Sequence, residues 1–191
     1  MSYDAARELA VELDVANAAK PVRVLDLAAG SGVWGVALAE ASPRVSVTAV
    51  DWPAVLPVTR RIAEQHGVAG RFEFVEGDLL EVSFGSGHSI AMLGHIVHSE
   101  GEVRSRRLLA KTFEALDPGG TIVIAEFVAN DDRTGPLNAL IFAVNMLVGT
   151  EAGDTFTFSE MAGWLREAGF SAVREVDVPG PAPLILATKP G

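Results

Sequence analysis

Cysteine is absent from the 191 residues, so neither a disulfide framework nor thiol chemistry is available. Positive charge is scarce: 15 Lys and Arg face 25 Asp and Glu, a formal net charge of −10. A polyanionic surface repels such a chain on average, which excludes nucleic acid as the expected partner. The arginine clusters, Arg60-Arg61 and Arg104 to Arg107, read as solvated helix faces. No run of eighteen apolar residues occurs, which excludes a membrane-spanning helix and a membrane partner. Met1 to Leu13 carries acids and lacks a basic stretch followed by an apolar one. No secretory signal is read there, and the cytoplasm is the expected location.

What is present is 49% hydrophobic and 21% charged residues, the balance of a globular protein. The length suits a single domain, 1–191, with a leading helix within 1–20. Short β-branched runs then alternate with segments of helical period. Strands are expected at 22–27, 45–50, 71–76, 90–93, 121–127, 172–178 and 184–188. Helices are expected at 4–19, 33–41, 53–67, 102–116 and 137–148, with a last one opened by a capping box of Thr157 and Glu160 and ended at Gly169. Asp117-Pro118-Gly119-Gly120 reads as the turn that stops the fourth of these. Residues 179–183 are too few for a crossover helix, so the last two strands must form a hairpin. The expected class is α/β: a doubly wound, mostly parallel seven-stranded sheet with a C-terminal antiparallel hairpin.

The loop Asp26-Leu27-Ala28-Ala29-Gly30-Ser31-Gly32 follows a buried strand and opens a helix. Small residues there let a ligand approach the backbone, and the helix N-terminus offers unpaired N–H groups. The second strand closes at Asp51, 21 residues after Gly30, where a doubly wound sheet places a carboxylate within reach of ribose hydroxyls. The third closes at Glu76-Gly77-Asp78-Leu79, a further carboxylate on the same edge. Asp51 is also placed to cap a helix before Pro53, and Asp78 to sit in a turn. Gly30 to Gly35 matches the three-glycine dinucleotide pattern, so a nicotinamide-dependent oxidoreductase is one alternative. Asp26 ahead of the glycines, Gly77-Asp78 after the third strand and the terminal hairpin point to S-adenosylmethionine instead.

This set of motifs resembles the class I methyltransferases, whose sheet is Rossmann-like. The resemblance implies that Ala28, Gly30 and Gly32 line the methionine part of the cofactor. It implies that Asp51 binds ribose, Trp52 packs on adenine, Asp78 accepts from the adenine amino group, and the backbone of Leu79 reads the ring nitrogen. Asp26, Gly77, Gly94 and His95 complete the cofactor-side candidates.

The fourth strand runs into Gly94-His95-Ile96-Val97-His98-Ser99-Glu100, and the fifth ends at Glu126. Neighbouring strand ends can bring Glu126 to His98, and a carboxylate beside an imidazole is a base with its orienting partner. A plain loop histidine is the competing reading of His98. A metal set of His95, His98, Glu100 and Glu102 has no motif spacing behind it, and no metal is expected. The stretch is similar to the plant-type small-molecule O-methyltransferases and their bacterial relatives, through Ile96-Val97-His98, Pro118-Gly119-Gly120 and Glu126. That resemblance carries the base role onto His98 and the orienting role onto Glu126. It places a small hydroxyl-bearing acceptor, such as a phenol, against Phe142, Asn145 and Met146. The chain departs from the family where Ser99-Glu100 replaces Asp-Trp, a tryptophan that covers adenine. It departs again at Glu151 to Thr157, where Thr155 takes the place of a second acid and Asp154 stands one residue early. Relatives of this type also carry a long N-terminal helical, winged-helix-like segment that dimerises them and helps close the pocket. Here one helix precedes the first strand, so exposed apolar residues on 137–148 and association into a homodimer are expected. A cofactor-binding module without catalysis is the second alternative.

Overall fold

A computed structural model describes residues 2–191. Seven strands form one sheet: β1 Val22–Leu27, β2 Val45–Asp51, β3 Phe72–Glu76, β4 His88–Gly94, β5 Leu116–Ala125, β6 Ser171–Val176 and β7 Leu184–Thr188. Their spatial order is β3-β2-β1-β4-β5-β7-β6. The first five run parallel, and β7 runs against both its neighbours. The order reverses between β1 and β4, which opens a crevice at their carboxyl ends, where ligands of doubly wound sheets bind.

Alternation along the strands builds two cores. Val24, Val47, Met92 and Val123 face one side and pack on α1 (Ser2–Glu12) and α2 (Val33–Ala41) through Leu9, Trp34 and Leu38. Leu25, Leu27, Leu93 and Ile122 face the other, against α4 (Val97–Ala115) and α6 (Phe158–Glu167) through Leu108, Leu109 and Trp164. α3 (Leu56–Gln65) flanks β2 and β3. The capping box forms: Thr157 Oγ1 accepts the Glu160 N–H at 3.1 Å, and Glu160 accepts the Thr157 N–H at 2.8 Å.

Three boundaries differ most from expectation. The leading helix ends at Glu12 because Asp14 turns left-handed (φ 51). The fourth helix begins at Val97 and not at 102, with a break at Gly101 (φ 69) inside it. That break lets loop 150–154 dock: a Cβ on Gly101 would stand 2.5 Å from the Ala152 carbonyl oxygen. The Asp117 to Gly120 stretch does not leave the sheet as a turn. It opens β5, with Leu116 paired to His88 and a bulge before Ile90.

α5 (Leu137–Gly149) stands apart. Ala139 is its buried residue, while Leu137, Ile141, Val144, Leu147 and Val148 are 56–83% exposed.

Candidate active site

The loop after β1 is held open by its own backbone. Ala28, Gly30 and Gly32 are left-handed (φ 53, 57 and 75). The Thr59 hydroxyl donates to the Gly30 carbonyl at 2.7 Å. Asp51 accepts the Gly30 N–H at 2.8 Å and the Trp52 N–H at 2.7 Å, which fixes the end of β2 to the loop. A Cβ on Gly30 would meet nothing nearer than the Ala28 carbonyl at 3.9 Å, so the face beside this glycine is free for a ligand. Trp52, next to Asp51, is 55% exposed. Gly77 (φ 138) donates its N–H to the Asp51 carbonyl at 3.0 Å, and the Val82 side chain leaves no space for a Cβ on it.

Asp26 does not open onto this rim. It is buried beneath the loop, and its Oδ2 accepts the Gly35 N–H of α2 at 3.0 Å. Its Oδ1 has no hydrogen-bond partner among the described residues. Burial pushes its carboxyl up to about 7, despite the Gly35 N–H and with help from the Asp51 charge. The strand face decides this placement: Asp26 shares the inward side of β1 with Val24, toward α2.

Asp78 reaches the rim, but not alone. Its Oδ1 accepts the Leu80 N–H at 2.8 Å, and both oxygens accept from Arg104 Nη2, at 3.0 and 2.8 Å. Burial works to raise this carboxyl, but the Leu80 N–H and the Arg104 guanidinium outweigh it and hold it below the usual carboxylate range. Arg104 was expected on a solvated helix face. It instead reaches Asp78 beyond the end of β3, and Glu100, one turn earlier on α4, accepts from its Nε at 2.5 Å. Leu79 is buried, and its carbonyl accepts from Lys111 Nζ at 2.8 Å.

Beyond β4 and β5 lies the second cluster. Glu126 is 2% exposed, and its Oε2 faces His98 Nδ1 at 2.8 Å. Its Oε1 accepts the His98 backbone N–H at 3.2 Å. The carboxylate therefore sets both the ring and the main chain of His98, leaving Nε2 as the ring nitrogen not engaged by Glu126. On the other side, the Asp154 N–H donates to the His98 carbonyl at 3.0 Å, and Gly153 abuts that carbonyl with no room for a Cβ.

His98 opens into a cavity of about 310 Å3 that Trp34, His95, Phe127, Phe142 and the 179–182 turn also line. Phe142 meets the His98 ring edge-on, with centroids 4.8 Å apart, and Phe127 at 4.5 Å. A larger cavity, about 490 Å3, lies at the opposite ends of the strands, around Arg23 and His88.

Several expected positions move. His95 belongs to the wall of the smaller cavity and not to the glycine loop, because its left-handed backbone (φ 59) turns the ring toward Phe127 and His98. Burial lowers its imidazole below the ordinary value, against the pull of Glu126. Gly94 serves packing: a Cβ there would collide with the Trp34 indole, 2.7 Å from Cδ1, so that space is filled by the chain itself. Of the α5 trio, Phe142 lines the cavity, whereas Asn145 is exposed and Met146 lies outside the lining. Asp154 points away, to the Thr155 N–H and Arg133, so the second acid has no counterpart at His98. Trp34, Phe127 and Arg104 were missed. The helical position of Trp34 two residues after Gly32 was the signal available for one of them. Ligand atoms of His95, His98 and Glu126 lie within 4.8 Å of one another, but Glu126 is turned to the ring and N–H of His98.

Comparison with known proteins agrees with this geometry. The family model described as an O-methyltransferase domain matches residues 11–171. A 3-hydroxy-5-methyl-1-naphthoate 3-O-methyltransferase of Streptomyces sahachiroi is 35% identical over 92% of this chain and 50% of its own length. An O-methyltransferase family 2 protein of Planctomyces limnophilus, solved with apigenin, superposes with a TM-score of 0.83 at 27% identity, over 97% of this chain and 62% of that one. Human N-acetylserotonin methyltransferase, solved with S-adenosylmethionine, gives 0.80 at 26%, over 97% and 51%. The chain thus spans about half the length of the curated relatives it matches. Neither the nicotinamide oxidoreductase nor the inactive cofactor module draws support from these relatives. With a matched region that runs from α1 to the start of β6, the chain belongs to the O-methyltransferase domain family.

Proposed function

We propose that this chain binds S-adenosylmethionine along the rim of β1, β2 and β3 and methylates a hydroxyl oxygen of a small, largely apolar molecule. The observation that carries the reading is the His98–Glu126 pair, 2.8 Å apart, at the mouth of an aromatic cavity on the same sheet edge as the open glycine loop. The bound cofactor supplies an electrophilic methyl group on a sulfonium.

The chain's own residues do the rest. Ala28, Gly30 and Gly32 offer a backbone free of side chains. Asp51, already bonded to two N–H groups, retains lone pairs for ribose hydroxyls. Trp52 stands ready as a flat surface for the adenine, and Asp78 and the Leu79 backbone face its edge. Phe127, Phe142 and Trp34 exclude water and hold a ring flat against His98 Nε2. A cavity of about 310 Å3 suits an acceptor of one or two rings. The positioning this provides is the main source of rate for a displacement at carbon.

The acceptor must also lose a proton. A phenol is a weaker acid than an imidazolium by about 3.5 pKa units, or about 5 kcal/mol. Removal by His98 is therefore concerted with methyl movement and does not precede it. Glu126 keeps the proton on Nδ1, so that Nε2 presents its lone pair.

The exposed face of α5 supports a homodimer, because a stripe of Leu137, Ile141, Val144 and Leu147 is costly to leave in water. None of the described residues forms a helix long and apolar enough to cross a membrane, and a cytoplasmic setting completes the proposal.

The test is thermal stabilisation by S-adenosylmethionine, S-adenosylhomocysteine and NAD, followed by turnover of a phenol panel by the wild type and H98Q. Stabilisation by NAD alone, or undiminished turnover by H98Q, would end the proposal. Light scattering of the wild type and V144E/L147E tests the dimer, which the double substitution should dissociate.

A further inference from the structure

The Asp78 carboxylate is built as a single-sided acceptor. A carboxylate offers about four lone-pair directions. Three are engaged: Oδ1 takes the Leu80 N–H and Arg104 Nη2, and Oδ2 takes Arg104 Nη2 again. One direction, on Oδ2, is left among the described residues. Arg104 is itself held from behind, since Glu100, four residues earlier on α4, accepts from its Nε at 2.5 Å. Held by two carboxylates through Nε and Nη2, the guanidinium is fixed in orientation, with Nη1 not engaged among the described residues.

We propose that Arg104 is a positioning residue for nucleobase selection: it fixes Asp78 as an oriented acceptor, so the site prefers a 6-amino purine to a 6-oxo purine. The inference rests on the reading of Asp78 as the acceptor for the adenine amino group. With Arg104 in place, a 6-oxo base brings its carbonyl oxygen against a carboxylate that cannot rotate away, and the neighbouring guanidinium cannot swing to meet it. Without Arg104, only the Leu80 N–H holds the carboxylate, Oδ2 gains freedom to turn aside, and the penalty fades. The brace is partly exposed, with the Arg104 side chain at 41%, so it adds little to folding stability. Its effect therefore falls on recognition.

The experiment is calorimetric titration of S-adenosylhomocysteine and S-inosylhomocysteine into the whole chain, for the wild type, R104M, R104K and D78N. The wild type should bind the adenosyl compound more tightly. R104M should weaken it and narrow the adenosyl-to-inosyl ratio by about fivefold or more. R104K should recover part of the affinity but less of the ratio, because an ammonium lacks the planar fork. D78N should lose both affinity and ratio. If D78N weakens binding while R104M and R104K keep the wild-type ratio, the role of Arg104 is refuted and that of Asp78 stands. If D78N changes neither affinity nor ratio, the adenine reading fails, and this inference with it. Circular dichroism melting confirms that each variant is folded. Should R104M not fold, R104K decides by the same ratio.

Discussion

Replacing Glu126 by Gln probes the proposed base with almost no change in shape. Both carboxylate oxygens now accept, one from His98 Nδ1 and one from the His98 backbone N–H. An amide has one oxygen and one NH2, so it satisfies one of these donors and opposes the other. If the oxygen keeps the backbone N–H, the NH2 points at Nδ1 and forces the proton to Nε2, the tautomer that cannot accept from a hydroxyl. If the oxygen keeps Nδ1, a buried backbone donor is left facing an NH2. The loss of one charge-assisted hydrogen bond costs about 1.5–3 kcal/mol. The carboxylate also stabilises the imidazolium formed as the proton moves, worth up to about 4 kcal/mol at 4 Å in an effective dielectric of 20. These overlap, and a combined effect of about 3–5 kcal/mol corresponds to a fall in kcat of about 10²–10⁴. Glu126 stands apart from the glycine loop, so affinity for S-adenosylhomocysteine should stay within about twofold by calorimetry. Steady-state turnover of a phenol by E126Q retaining a third or more of the wild-type kcat would refute the reasoning.

Three further outcomes follow from other parts of the molecule. Asp26, with its folded carboxyl at about 7 against about 3.9 when unfolded, binds a proton more readily in the fold. Its contribution to stability is full below pH 4, falls as pH rises through 7 and is flat above, by up to about 4 kcal/mol. D26N should lack that slope, so the difference between wild-type and variant stability should change with pH by that amount, and parallel curves from pH 4 to 8 would contradict it. G94A should push the Trp34 indole toward the cavity, lowering Tm by the equivalent of about 1–3 kcal/mol and raising the acceptor KM, with W34F restoring both; unchanged melting would show that Trp34 is not held there. T157A should cost about 1 kcal/mol by urea unfolding through the loss of the α6 capping box, and an unaltered midpoint would count against that cap.

The doubly wound sheet and the terminal hairpin were readable because short β-branched runs alternate with helical segments and a five-residue link leaves no room for a crossover. The capping box at Thr157 and Glu160 was readable because it is local chemistry within four residues. His98 and Glu126 were paired from the rule that neighbouring strands end together, and the sheet register brings β4 and β5 to the same edge. What could not be read depended on rotation about an axis or on backbone handedness. Asp26 lies one position from facing elsewhere, and its inward turn follows from the pleat of β1 against α2. His95 required a left-handed residue that no pattern announces. Arg104 looked like a solvated arginine because the helix start was placed at 102. The earlier start at Val97 brings Glu100 onto the same helix four residues before Arg104, where it accepts from Nε while Asp78 accepts from Nη2. Asn145 and Met146 share a helix with Phe142, yet helical spacing alone did not say which of the three turns inward.

The break at Gly101 and the close approach of Gly153 to the His98 carbonyl have a mechanical meaning. Loop 150–154 leaves α5 directly and rests its backbone on the turn that carries His98, through the Asp154 N–H and the contact of Ala152 with Gly101. The greasy helix and the imidazole are thus rigidly geared by a handful of residues with no slack between them. Lengthening loop 150–154 should therefore slacken the hold on the His98 carbonyl while the Glu126 contacts to the ring and N–H stay in place.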